Sequence, residues 1–125
     1  MKIILSSTSA PAAVGPYSQG VLGRELVFLS GQLGIDPATQ EMASGVRAQA
    51  DQALKNVEAV LATRGLSLED VVKTTVYLAD IADFAAVNEV YAAHFAEPFP
   101  ARSAFQVGAL PLGGLVEVEV IAERP

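Results

Sequence analysis

Residues 115–122 alternate without a break. Val116, Val118, Val120 and Ala122 fall on one side, and Glu117, Glu119 and Ile121 on the other. That period of two makes a strand with one face in a core. Such a strand needs sheet partners and a second layer to cover its aliphatic side. Two stretches with helical period supply the cover. Over residues 46–64, Val46, Ala50, Ala53, Leu54, Val57, Val60 and Leu61 line one helical face. Ser44 or Gly45 suits its start, and Gly65 its end. A second helix, capped by Asp80 or Asp83 and running to about residue 95, carries the stripe Phe84, Val87, Tyr91 and Phe95.

The remaining segments read as strands. Residues 2–5 form a short one. Residues 10–16 make a Pro- and Ala-rich turn, and residues 18–22 and 26–33 form a hairpin about Gly23, Arg24 and Glu25. Residues 36–39 are a loop by their breakers. Residues 71–78 are β-branched, and residues 102–107 precede the final strand. With no linker, repeat or low-complexity segment, residues 1–125 read as one α+β domain: a sheet with two helices on one face. The other face then carries Glu117, Arg102, Leu26, Phe28 and Ser30. It is too apolar for water and too polar for a core, so a subunit interface is expected there.

Composition narrows the function. The chain has 125 residues, 51% hydrophobic and only 18% charged. Mean hydropathy is +0.38. So apolar a small domain points to self-association. Net charge is −6, and the eight basic residues form no run. Nucleic-acid binding needs a basic footprint, so neither it nor an anionic membrane is an expected partner. Having no cysteine excludes disulfides and thiol chemistry; a single histidine, His94, excludes a His-rich metal site. Without a signal-peptide pattern or a membrane-length apolar run, a soluble cytosolic protein is expected. No phosphate loop or dinucleotide fingerprint is present, so an enzyme here would work without an obvious cofactor.

Candidate chemistry centres on Phe99-Pro100-Ala101-Arg102-Ser103. An always-charged planar guanidinium at the mouth of a sheet suits a carboxylate held by two bonds. If the last two strands are neighbours, Arg102 and Glu117 lie close. They then form either a structural ion pair, which holds the glutamate's pKa low, or a site. In the site, Arg102 grips a substrate carboxylate and Glu117, its pKa raised by a dry cleft, moves protons. Asn88 interrupts the apolar stripe of the second helix, either tying helix to strand or aiming at a ligand. Gly31, in Ser30-Gly31-Gln32, marks a bulge or a close approach to the backbone. Tyr17, in Gly15-Pro16-Tyr17-Ser18-Gln19, packs or presents its phenol. His94 sits on a helix flank with no serine–aspartate partners, which suits a surface role.

Together these segments resemble the YjgF/RidA family of reactive-intermediate deaminases. The likeness runs the whole length. It includes Asn56-Val57, Lys73-Thr74-Thr75-Val76-Tyr77-Leu78, Asp80, Phe84, Asn88-Glu89-Val90-Tyr91, Leu110-Pro111 and Val116-Glu117-Val118-Glu119, besides the motifs around Tyr17, Ser30 and Arg102. The resemblance implies a chorismate-mutase-like fold and a homotrimer with sites in subunit clefts. It implies hydrolysis of 2-imino acids, released by PLP-dependent dehydratases, to 2-keto acids and ammonia. By the same resemblance Arg102 grips the substrate carboxylate and Glu117 activates water or moves protons. Tyr17, Ser30 and Asn88 line the site, with backbone at Gly31 and Ala104 against the ligand. Ala104 stands where the family often has cysteine, Ala109 where a basic residue is common, and Phe105 where a branched aliphatic is usual. A non-catalytic carboxylate-binding or chaperone-like module and a ribonuclease are the alternatives the family offers.

Overall fold

The computed structural model describes residues 2–124. Nine strands and two α-helices follow one another: β1 (Ile3–Leu5), β2 (Gly20–Leu22), β3 (Leu26–Leu29), β4 (Gln32–Leu33), β5 (Ile35–Asp36), β6 (Glu41–Met42), α1 (Val46–Ala62), β7 (Val71–Leu78), α2 (Phe84–His94), β8 (Ala101–Gln106) and β9 (Val116–Glu123). The main sheet runs β1-β2-β3-β9-β7-β8, with β4 also pairing β9. The alternating strand is thus central, which is why its inner face is purely aliphatic. Val116, Val118, Val120 and Ala122 are at most 1% exposed. The sheet is mixed: β7 and β8 are parallel, joined through α2, and the other pairings are antiparallel.

Both helices lie on the aliphatic side. Ala50, Ala53, Leu54, Val57, Val60 and Leu61 of α1 are buried. Thr63 ends this helix, earlier than residue 64, its hydroxyl bonding the Val60 carbonyl at 2.6 Å. Gly45, with φ of 86°, starts it without a side-chain cap. Asp80 caps a 3-10 turn (Ile81–Asp83) that leads into α2. Tyr91 of α2 bonds Thr74 of β7 at 2.8 Å, which docks α2 on the sheet. His94, on the flank of α2, is partly buried. It bridges the helices, with Nε2 2.7 Å from Asp51 and Nδ1 3.1 Å from Glu58.

The expected loop at residues 36–39 is the tip of a small hairpin, β5–β6. Asn56 anchors it to α1. The amide is fully buried, and its Nδ2 donates to the Leu33 and Ile35 carbonyls at 3.0 and 2.9 Å. Asn56→Ala would remove both bonds. It is expected to cost about 2 kcal/mol, read as a lower denaturant midpoint with an unchanged slope.

Strand order corrects one expectation directly. The strands of Arg102 and Glu117 are not neighbours, because β7 lies between β8 and β9. The pairing also puts the two side chains on opposite faces. Arg102 pairs with Thr74, whose side chain is buried under α2; Glu117 pairs with Tyr77, on the open face. The parallel β7–α2–β8 crossover sends β8 to the outer edge, where an even-numbered residue shares the helix side with Thr74, Val76 and Leu78.

Candidate active site

Arg102 is seated on α2. Its guanidinium carbon lies 4.8 Å from the centre of the Tyr91 ring and 5.4 Å from that of Phe84. Its Nη1 donates to Asn88 Oδ1 at 2.7 Å. Phe84, Asn88 and Tyr91 recur at the spacing that lines one helix face. Two ring faces and an amide oxygen fix the cation without neutralising it. Ion pairs among the described residues belong to Arg47, Lys55 and His94. The Arg102–Glu117 bridge is therefore overturned, and an exposed guanidinium retains donors for an external anion. Asn88 ties helix to strand, and what it ties is the arginine.

Glu117 occupies a different setting. It is half-buried, and burial first, then the negative charge of Glu119, pushes its pKa above the ordinary glutamate value. Its carboxyl lies over Gly31. A Cβ there would sit 2.9 Å from Glu117 Cδ and still closer to Oε2. Gly31 is also at a bulge. Phe28 pairs with Ile121 and Gln32 with Val118, so the β3–β4 line carries one more residue than β9 between these points. Both readings of Gly31 hold, and the close neighbour is the carboxyl itself.

The other candidates divide between these two places. Ser30 Oγ donates to the Ser18 carbonyl at 2.6 Å, and Ser30 N to the Gln19 carbonyl at 2.9 Å. These bonds hold the segment after Tyr17 against the Glu117 side. Tyr17 is 49% exposed, so its ring is not core packing. Ala104 pairs with Val76 on the outermost strand, an edge with unpaired backbone groups. Arg102, Asn88 and Ala104 thus gather at one place, and Glu117, Gly31, Ser30 and the Tyr17 turn at another. A concavity of about 690 Å³ beside the β2–β3 turn is lined by Gly23, Arg24, Glu25, Leu26 and Phe28 and includes none of them.

Sequence reading missed the arginine's ring seat. Phe84 and Tyr91 read as core stripe; the signal was an asparagine between them on the same face. It also passed over Tyr77, whose hydroxyl donates to Glu119 at 3.3 Å and whose ring meets Phe105 edge-on at 5.6 Å.

The fold is that of a two-layer α+β protein in which the Arg102 guanidinium has no ion-pair partner among the described residues and the Glu117 carboxyl has raised proton affinity. Residues 7–124 match the endoribonuclease L-PSP family. The chain belongs to this family, the YjgF/RidA family that its motifs resemble. A goat protein named 2-iminobutanoate/2-iminopropanoate deaminase is 53% identical over 120 residues, 95% of this chain and 88% of its own. RidA from the Antarctic bacterium Psychrobacter superposes with a TM-score of 0.95 at 50% identity, covering 98% of this chain and 99% of that one. E. coli TdcF, crystallised with bound serine, gives 0.93 at 43% identity over 99% of this chain and all of its own.

Proposed function

We propose that this chain hydrolyses 2-iminobutanoate and 2-iminopropanoate to the 2-keto acids and ammonia. The observation that carries the reading is Arg102, seated on two rings and an amide and paired with no carboxylate among the described residues. A small 2-imino acid supplies that carboxylate. Held by two parallel bonds, it presents its C=N carbon in a fixed direction. That carbon is electrophilic once the imine nitrogen is protonated. Glu117 takes a proton from the attacking water and returns one to the departing nitrogen. No further group is needed to generate the nucleophile. The deaminase names borne by relatives at about 50% identity support this activity. Serine, held by TdcF, has the same carboxylate beside a nitrogen-bearing carbon.

The proposal includes a homotrimer of chorismate-mutase-like, single-domain subunits, with sites in the clefts between them. Three observations support it. Arg102 and Glu117 leave one protomer from opposite sheet faces. The outer strand β8 is largely exposed. The open face carries Phe28 and Phe105, each nearly half exposed. An interface that sets the arginine side of one copy against the glutamate side of the next satisfies all three. No helix among the described residues is long and apolar enough to cross a membrane. We place the action in the cytoplasm, beside the dehydratases that release the substrate.

The test couples a threonine dehydratase, as the source of 2-iminobutanoate, to semicarbazide trapping. Faster loss of the imine with this protein is expected; an unchanged rate contradicts the reading. Asn88→Ala is expected to raise KM roughly tenfold with a smaller effect on kcat, because it frees the guanidinium's aim. Against the family's ribonuclease name stand the net charge of −6 and scattered basic residues. Filter binding to single-stranded RNA at low salt is expected to give no retention.

A further inference from the structure

Two carboxylates share the open face of β9, Glu117 and Glu119, two residues apart. Side chains at that spacing on one strand are close neighbours, and both being charged is unfavourable. A hydrogen-bond donor steadies the charged form of whichever carboxylate it serves. The surroundings are unequal. Tyr77 pairs across from Glu117, yet its hydroxyl reaches diagonally and donates to Glu119 at 3.3 Å. Glu117 receives no side-chain hydrogen bond among the described residues, and it is half-buried over Gly31. Phe105 braces the Tyr77 ring from β8.

We propose that Tyr77 and Glu119 act as a positioning pair that assigns the shared proton to Glu117. The inference deepens the proposed function, since it makes the proton-moving group of that reaction a product of its neighbours. A donor favours the charged form of the carboxylate it serves, so Tyr77 leaves Glu117 as the better home for the proton. The phenol remains a donor, because burial and then the Glu119 charge push its own pKa up. Other charges on this face lie farther along. Lys73 of β7 pairs with Ile121 and spends its ammonium on Ser103 Oγ at 2.8 Å. Glu123 ends β9 opposite Leu26. Between Leu26 and Leu33, the β3–β4 line has no titratable side chain.

The experiment follows the glutamate side-chain carboxyl carbons by ¹³C NMR through a pH titration of the intact protein, with Glu117→Gln to assign the Glu117 signal. Glu117 is expected to titrate above the ordinary glutamate value. Its midpoint falls in Glu119→Gln and falls by less in Tyr77→Phe, which keeps the ring on Phe105. The limb of the imine-hydrolysis pH profile that Glu117 governs moves to lower pH in the same two variants. A Glu117 midpoint unchanged in Tyr77→Phe and Glu119→Gln overturns the inference. The titration reads independently of turnover. A protein without imine hydrolysis but with the expected midpoints would sink the proposed reaction and leave the proton assignment standing.

Discussion

Arg102→Ala is expected to slow imine hydrolysis by about 10²-fold or more in kcat/KM, while the protein stays folded. The guanidinium is exposed at the sheet edge, so its removal opens no cavity in the core. What is lost is the two-point grip on the substrate and the field it sets up. Arg102→Lys is expected to recover only part of the rate. A lysine offers a point charge and cannot match a carboxylate with parallel bonds. The semicarbazide-coupled rate, measured across substrate concentration, checks both. Full activity in Arg102→Ala would remove the reading.

Glu117→Gln is the second large effect. An amide of the same shape cannot carry the proton, and a loss of about 10²–10⁴-fold in kcat is expected. The same change is expected to stabilise the fold at neutral pH. Burial and Glu119 raise the folded-state pKa of Glu117 above its unfolded value. Between those two values the native chain binds more protons than the unfolded one, so stability falls as pH rises through the window. Above it the ionised carboxylate is a net cost that glutamine does not bear. Below about pH 4 the group is protonated in both states, and the difference vanishes. Thermal melts of both proteins at pH 4 and pH 7 check the sign: a higher Tm for the variant at pH 7 only. A variant that is less stable at pH 7 would mean that the carboxylate is satisfied in the fold. An alternative non-catalytic binding role predicts instead that Glu117→Gln changes no activity.

The architecture was legible because its signals are local. Alternation in β9 and the α1 stripe each follow from one element's own period, and Gly65, at positive φ, sits in the turn just past the Thr63 cap. Caps were legible to within a residue or two. Strand order was not, since nothing in residues 101–106 states that a parallel crossover carries β8 past β7. Arg102 was therefore read onto the wrong face, next to a glutamate that lies beyond an intervening strand. The candidate residues were legible one at a time. Their separation into two places depends on pairing register, which no single segment encodes. The bulge at Gly31 shows the same limit: a lone glycine flags an irregularity, but only the β9 partner reveals that a carboxyl fills the space.

Active-site complementation tests the central claim most directly, that the guanidinium of one copy and the carboxyl of another serve one substrate. Arg102→Ala and Glu117→Gln protein, each nearly inactive, are unfolded together in equal amounts and refolded. If sites lie between copies, some clefts regain both native groups, and activity rises toward about one quarter of the parent rate, the statistical share for random mixing. Activity no higher than that of the separate variants, with mixed assemblies verified by mass, would place both groups in one chain's own site and contradict the account.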